Sequence, residues 1–358
     1  MIHSFHIKNY RGFKDCTIEP LERVNLITGS NNAGKTSLLE ALYLNLAPGI
    51  AFHANLSSDR YERSTWLNLF RGFAGFGIDR ESMLGWLFHK KDLSRAIELK
   101  SVDVQNGGTR ILTMSWHTIA DDQLNSINNS ILQAAPDIPL KLNVHYKNFD
   151  GEEFKWSFQR SSAQMPPGHL LGTYPLRVLD GNDSRSPKED VKWFSKLDDM
   201  GRQDELVSTL QLIEPRLKQL AVSVADGVPM IYGDIGLGRR VPMLQMGEGM
   251  VRLLSLVLEI TNASGGAVLA DEIENGFHHS VLTKVWRVIG EAARRSDTQI
   301  FATTHSWECI RAAHEAFLNS KTYDLRLHRL ERSGESVRSV TYDKGTLNTS
   351  VEMNLEVR

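Results

Sequence analysis

The strongest constraint on this chain is an octapeptide near its start, Gly29-Ser30-Asn31-Asn32-Ala33-Gly34-Lys35-Thr36. It satisfies the phosphate-loop pattern G-x-x-x-x-G-K-[ST] at every fixed position. Such a loop works between a strand and a helix. The strand delivers the chain to a tight turn, and the helix start offers unpaired N–H groups and the positive end of its dipole. The flanks fit this need. Val24-Asn25-Leu26-Ile27 reads as a buried strand. Ser37-Leu38-Leu39-Glu40-Ala41-Leu42-Tyr43 reads as a helix that runs to about Leu46 and ends at Pro48-Gly49. The expected fold is therefore α/β, that of a P-loop NTPase. Gly29, Asn31, Asn32, Ala33, Gly34, Lys35, Thr36 and Ser37 are expected around ATP. Lys35 would reach the β- and γ-phosphates, and the Thr36 hydroxyl would sit on Mg2+.

Composition narrows the setting. The 358 residues carry a net charge of −2, so no overall basic footprint marks the chain for nucleic acid. No apolar run approaches the roughly 18 residues of a membrane span. The first residues lack the basic-then-apolar order of a secretory leader. Cys16 and Cys309 are the only cysteines, which suits a reducing compartment and offers no zinc site. A cytoplasmic protein without a membrane partner is expected.

Along the chain, residues 2–8 read as a strand, residues 9–14 as a turn, and residues 16–18 as a strand pairing back. Residues 50–92 are rich in aromatics: Phe52, Trp66, Phe70, Phe73, Phe76, Trp86 and Phe88. Mixed with Leu and Gly, these read as core more readily than as base-stacking platforms. Residues 96–160 read as an antiparallel meander, with turns at Asn106-Gly107-Gly108 and Asp150-Gly151 and alternation at Leu142, Val144, Tyr146 and at Phe154, Trp156, Phe158. Residues 161–190 read as loop. Leu206, Leu210, Ile213, Leu217, Leu220 and Val224 form a helical stripe, kinked or split at Pro215, for core packing or a dimer seam. A hairpin follows around Asp234-Ile235-Gly236-Leu237-Gly238.

The phosphate loop identifies nucleotide binding; the class of machine is set downstream. Ala267-Val268-Leu269-Ala270-Asp271-Glu272 is an apolar strand ending in two carboxylates. In this Walker B arrangement Asp271 would hold the metal and Glu272 would polarise the attacking water. A further apolar strand ends in Thr303-Thr304-His305-Ser306, where His305 would contact the γ-phosphate. Between them and the phosphate loop, Met246-Gly247-Glu248-Gly249 opens an apolar helix. This is either a plain helix start or the signature loop that ABC-type ATPases present to the nucleotide of a second subunit.

Together these residues resemble the ABC-type ATPases of the SMC/RecF branch, and more closely the overcoming-lysogenisation-defect (OLD) family. The resemblance rests on Phe5-x-Ile7-x-Asn9-Tyr10-Arg11-Gly12-Phe13-Lys14, the phosphate loop with Asn31-Asn32-Ala33, and the degenerate signature Met246-Gly247-Glu248-Gly249. It continues through Asp271-Glu272-Ile273-Glu274-Asn275-Gly276-Phe277-His278, Thr303-Thr304-His305-Ser306 and the closing Leu355-Glu356-Val357-Arg358. It implies an ATP- and Mg2+-dependent ATPase that closes as a homo-oligomer, with Gly247, Glu248 and Gly249 on the nucleotide of the other subunit. Full OLD nucleases carry a Toprim domain after the ATPase. No Glu followed by an Asp-x-Asp pair is present here, so an ATPase-only form is expected, working with a separately encoded effector, often in anti-phage defence. The expected organisation is one ATPase domain over residues 1–358, with a lid and β-subdomain at 50–160 and a largely helical insertion at 161–245. The alternative is a RecF-like ATPase acting directly on DNA through Lys90-Lys91, Arg239-Arg240, Arg294-Arg295 and Arg326 with Arg329.

Overall fold

The computed structural model of the protein describes residues 1–53, 85–103, 107–118, 140–159, 163–164, 174–179, 187–225, 227–353, 355 and 357. Trp66, Phe70, Phe73, Phe76, Asn106, Glu356, Arg358 and most of the loop read at 161–190 lie outside the described residues, as does the side chain of Phe52.

The first half of the chain runs through strands β1 (Ser4–Tyr10), β2 (Phe13–Ile18) and β3 (Val24–Thr28), then helices α1 (Lys35–Leu46) and α2 (Pro48–His53). Strands β4 (Ile97–Asp103), β5 (Gly108–Thr118), β6 (Leu140–Lys147), β7 (Glu153–Gln159), β8 (Ala163–Gln164) and β9 (Leu176–Leu179) follow. The second half begins with helices α3 (Pro187–Asp199) and α4 (Gln203–Leu210) and strands β10 (Gln219–Ala225), β11 (Val228–Asp234) and β12 (Val241–Pro242). Helix α5 (Glu248–Asn262), β13 (Ala267–Ala270), α6 (Leu282–Arg295), β14 (Gln299–Thr303) and α7 (Trp307–Leu318) come next. The chain then forms β15 (Leu325–Ser333), β16 (Ser336–Tyr342) and α8 (Lys344–Glu352).

Contacts divide the chain into two compact units. The first comprises Met1–Leu21, Gly29–Tyr174 and Leu330–Thr341. Its sheet has the order β2-β1-β4-β5-β6-β7-β8, with antiparallel pairing throughout. Alternation decides which face is covered. Phe5, Ile7, Leu99, Leu112, Met114, Val144 and Trp156 are buried, while His6, Lys8, Glu98 and Lys100 face outward. The meander and hairpins expected from alternation are thus present, including the return of β2 onto β1 in the register Ile7↔Cys16. Helix α1 packs on this sheet against β1, β4 and β5. It is buried nearly all round. A buried polar lock fixes its height: Asn45 Nδ2 donates to the Leu99 carbonyl at 2.9 Å, and Ser101 Oγ donates to Asn45 Oδ1 at 2.7 Å. Of the aromatics at 50–92 whose side chains are described, Phe88 is core and Trp86 is exposed, with the Lys91 amine 3.5 Å from its ring centre.

The second unit comprises Glu22–Thr28, Pro175–Arg329 and Tyr342–Arg358. Its heart is the parallel order β15-β3-β14-β13-β9. Strands β3, β13 and β14 are buried at every residue, as a parallel sheet covered on both faces requires. Helices α5, α6 and α7 supply much of the cover through Leu253, Leu254, Val257, Trp286, Ile289, Ile310 and Phe317. Two expectations are corrected here. The stretch read as loop contains β9, the edge strand beside β13, and the start of α3. The stripe from Leu206 to Val224 is not helical throughout: α4 stops at Leu210, Ile213 and Leu217 lie in the turns that follow, and Leu220 and Val224 are in β10. Pro215 removes the N–H that a continuing helix needs, and Leu220-Ala221-Val222-Ser223-Val224 alternates with β-branched residues, which favours a strand. Within 161–245 the described residues form two helices and four longer or shorter strands, β9 to β12, besides β8 of the first unit.

Candidate functional site

In the first unit, the phosphate loop turns through residues that few side chains could replace. Gly29 has φ 143°, and a Cβ there would stand 2.5 Å from the Leu330 carbonyl oxygen. Asn32 occupies the left-handed region at φ 63°, which Asn tolerates. Gly34, φ 100°, precedes α1, and a Cβ would meet the Phe13 ring at 3.1 Å. Ala33 is buried, and its N–H donates to Ser30 O at 3.1 Å. Lys35 opens α1 and is buried, its Nζ donating to Gly29 O at 2.7 Å and Ser30 O at 3.1 Å. The amine thus curls back over the loop it serves. Asn31, Asn32 and Thr36 are exposed and Ser37 is half-buried.

The turn between β1 and β2 is the bracket for this loop. Asn9 and Arg11 take positive φ, 52° and 48°, which bends the chain toward α1. Arg11 Nε lies 2.8 Å from Glu40 Oε2, and Tyr10 OH donates to the same oxygen at 3.4 Å. Burial, then the Glu40 charge, hold the Tyr10 phenol far above its usual range, so it stays protonated as a donor. Phe13 lies against Gly34 from below. The opening motif noted in the sequence therefore carries the phosphate-loop helix.

In the second unit, the C-terminal ends of β3, β14 and β13 lie side by side. Thr303 pairs with Ile27, and Ala270 pairs with Ala302. The acidic loop leaves β13 here. Asp271 N–H donates to Leu179 O of β9 at 2.9 Å, and Asp271 Oδ1 accepts a short hydrogen bond from Thr303 Oγ1. That hydroxyl accepts the Glu272 N–H at 2.9 Å. One threonine thus ties both carboxylate residues to the neighbouring strand. Glu272 has φ 45°, an uncommon conformation for a residue with a long side chain. Its Oε2 accepts from Asn275 Nδ2 at 2.8 Å, and its Oε1 lies 3.5 Å from His305 Nε2. Glu274 Oε1 accepts the His305 N–H at 3.0 Å. Ser306 then caps α7, accepting the Cys309 N–H at 3.1 Å. Burial first, and the Glu274 charge second, push the Cys309 thiol up to about 12, so it is a neutral core group.

The structure therefore gathers Asp271, Glu272 and His305 within one unit, as their strand ends suggested. Gly247, φ 101°, and Glu248 are exposed at the start of α5. Gly249 faces the loop after the acidic pair: its Cβ would lie 3.5 Å from Gly276 O and 3.8 Å from the Phe277 ring. Sequence reasoning carried Thr303, Glu274 and Asn275 inside the two motifs but assigned them no role. A hydroxyl ending a buried strand and an Asn-Gly turn after the carboxylates were the available signals.

Main-chain amides and an amine suit a triphosphate. A hydroxyl and a carboxylate are the hard oxygen donors that magnesium takes alongside phosphate and water. Among the described residues no three His, Cys, Asp or Glu side chains form a metal cage of their own, and a magnesium carried by phosphates needs none. Among the described residues no helix is long and apolar enough to cross a membrane.

Comparison with known proteins bears on the family and the fold. Residues 1–155 match the family profile described as "AAA ATPase domain". Residues 124–310, just over half of the chain, match the profile described as "AAA domain, putative AbiEii toxin, Type IV TA system". A Helicobacter pylori protein named ATP/GTP phosphatase is 24% identical over 338 residues, covering 87% of this chain and 86% of that protein. A DNA replication and repair protein RecF of Idiomarina loihiensis is 44% identical over 43 residues, 12% of either chain. The crystal structure of an SMC head bound to the C-winged helix domain of ScpA shares the fold. Its TM-score is 0.50 at 12% identity, over 96% of this chain and 98% of that one. The chain belongs to the family of AAA domains described as "AAA domain, putative AbiEii toxin, Type IV TA system", and is an ATP-hydrolysing P-loop enzyme with an SMC-head-like, ABC-type α/β fold.

Proposed function

We propose that the protein is an OLD-like regulatory ATPase that closes around ATP as a homo-oligomer and controls a separately encoded effector, in anti-phage defence. The observation that carries this reading is the cluster at the ends of β13 and β14. There Asp271, Glu272 and His305 converge, and β3, whose next residue is Gly29, lies beside β14. Ligands of open parallel sheets bind at this end of the strands. On this reading residues 1–358 act as one ATPase domain. Residues 50–160 serve as lid and β-subdomain, and 161–245 are inserted before the signature helix.

In the proposed roles, the amides of Gly29 to Ser37 and the Lys35 amine hold the phosphates. Thr36 and Asp271 hold Mg2+, whose charge neutralises the phosphates when bound. Glu272 takes a proton from the attacking water, and His305 steadies its carboxylate and meets the γ-phosphate. Gly247 and Glu248, exposed at the start of α5, and the half-buried Gly249 close on the nucleotide of a second copy.

Direct action on DNA is the less supported reading. Lys90 pairs with Glu335, Arg294 with Asp324, Arg295 with Glu291 and Arg326 with Glu22, so these cations are occupied within the fold. Turnover assays test the proposal. Lys35→Ala should lose ATP binding. Glu272→Gln should keep ATP bound while hydrolysis falls by about 10²- to 10⁴-fold. Wild-type turnover by Glu272→Gln would remove Glu272 from the role of base.

A further inference from the structure

We propose that Glu274 is a positioning residue that sets the His305 imidazole against Glu272; this rests on the proposed roles of Glu272 and His305. The two loops leaving β13 and β14 are joined at three places. Thr303 Oγ1 bridges Asp271 and Glu272, the Ile273 N–H donates to Thr303 O at 3.1 Å, and Glu274 Oε1 accepts the His305 N–H at 3.0 Å. The first two joints hold the carboxylates. The third alone reaches the main chain of the histidine.

The neighbours of His305 are fixed independently. Thr304 is buried and its N–H donates to Ile27 O at 3.0 Å, while Ser306 is committed to capping α7. Residue 305 is the hinge between them. Its imidazole is about two-fifths exposed, and Glu272 Oε1 stands at 3.5 Å. Few packing contacts can hold so open a ring. Its place follows from where its own backbone is tied, and that tie is Glu274. Glu274 is well set for the task. Its N-terminal neighbours are pinned by Thr303, and its carbonyl accepts the Phe277 N–H at 3.1 Å. Its second oxygen, Oε2, is buried and makes no hydrogen bond to any of the described residues. The carboxylate is therefore aimed by the His305 bond rather than by a surrounding network. It also sits at the N-terminal end of α7, a twelve-residue helix whose dipole favours a negative group there.

Released from this tie, the ring would move by a fraction of its present separation from Glu272. Displacements on the scale of 1 Å cost about 10²-fold in rate at reacting centres. The test is steady-state ATP hydrolysis by the full chain with Mg2+, over a range of pH, for Glu274→Ala, Glu274→Gln and Glu274→Asp, with His305→Ala and Glu272→Gln as references. Gln keeps an acceptor oxygen at the same reach; Asp keeps the charge but is one methylene short. The expected result is near-wild-type kcat for Glu274→Gln. For Glu274→Ala and Glu274→Asp, kcat should fall about 10- to 100-fold with KM nearly unchanged, and the pH profile should resemble that of His305→Ala. Adding Glu274→Ala to His305→Ala should bring no further loss, since a residue acting through the histidine has nothing left to position. Full activity in both Ala and Asp variants, losses that add to those of His305→Ala, or a dead Gln beside an active Asp would each overturn the proposal. If Glu272→Gln and His305→Ala themselves turn over ATP at the wild-type rate, the underlying assignment falls. If they are slow while Glu274→Ala is fast, only the role of Glu274 falls. Should Glu274→Ala not fold, the contrast between Gln and Asp decides alone.

Discussion

Gly29 and Gly34 are required by the phosphate-loop pattern, yet each is also required by the packing of a neighbour outside that loop. A side chain at Gly29 would strike a main-chain oxygen, that of Leu330, at 2.5 Å. At Gly34 it would press on the Phe13 ring at 3.1 Å, and a ring can tilt. Both positions also have positive φ. Ala at either position should therefore destabilise the nucleotide-free protein by about 1–3 kcal/mol or more, with Gly29→Ala the worse. Thermal unfolding without ATP checks the order, and Phe13→Leu should relieve Gly34→Ala but not Gly29→Ala. At this scale the sequence was legible wherever chemistry recurs as a spaced pattern, as in Lys35, Thr36, Asp271 and His305. It named Thr303, Glu274 and Asn275 as members of motifs but gave them no part to play. Their importance comes from which loops lie opposite each other, and that is a property of strand order.

Strand β15 shows what an element adds. It runs parallel to β3, and His328 on it is fully buried. Burial, helped by the Arg326 charge, lowers the pKa of His328 from 6.5 to about 3. The folded pKa thus lies below the unfolded one. Above pH 6.5 neither state binds the proton and no stability is lost. As pH falls from 6.5 toward 3 the unfolded chain takes up a proton that the fold refuses, and stability drops by about 1.4 kcal/mol per pH unit. His314, also shifted downward by burial, adds to the same trend. Chemical denaturation at several pH values should show this slope, and His328→Leu should make it shallower by about one proton. Elements with a single clear period, such as β1, β5 and β6, could be read in advance, and α1 could be read from the phosphate loop that precedes it. The Leu206–Val224 stripe could not, because helix and strand share its apolar spacings until Pro215 is weighed against the valines of β10.

At the scale of the whole molecule, two facts bear on assembly. The net charge is near zero, so no bulk field drives copies apart or toward a polyanion. The start of α5 is exposed at Gly247 and Glu248, with open space around Gly247. If closure on a second copy depends on a bound triphosphate, Glu272→Gln with ATP and Mg2+ should sediment at twice the mass of the same protein without nucleotide, or at a multiple of it. Lys35→Ala should stay at the nucleotide-free mass under both conditions. An unchanged sedimentation mass for Glu272→Gln would exclude closure as the product of ATP binding.

Glu272 sits at φ 45° because Thr303, Asn275 and the strand end agree in holding it there. A glycine or asparagine would occupy that backbone with less strain. On the proposed role of Glu272 as base, selection for persistence and selection for turnover therefore pull this position in opposite directions. A lineage freed from the need to hydrolyse ATP would be expected to drift first at residue 272, gaining a calmer fold as it loses its reaction. On that role, the residue found there in a relative is a compact record of whether that relative still hydrolyses ATP or has settled into being a scaffold.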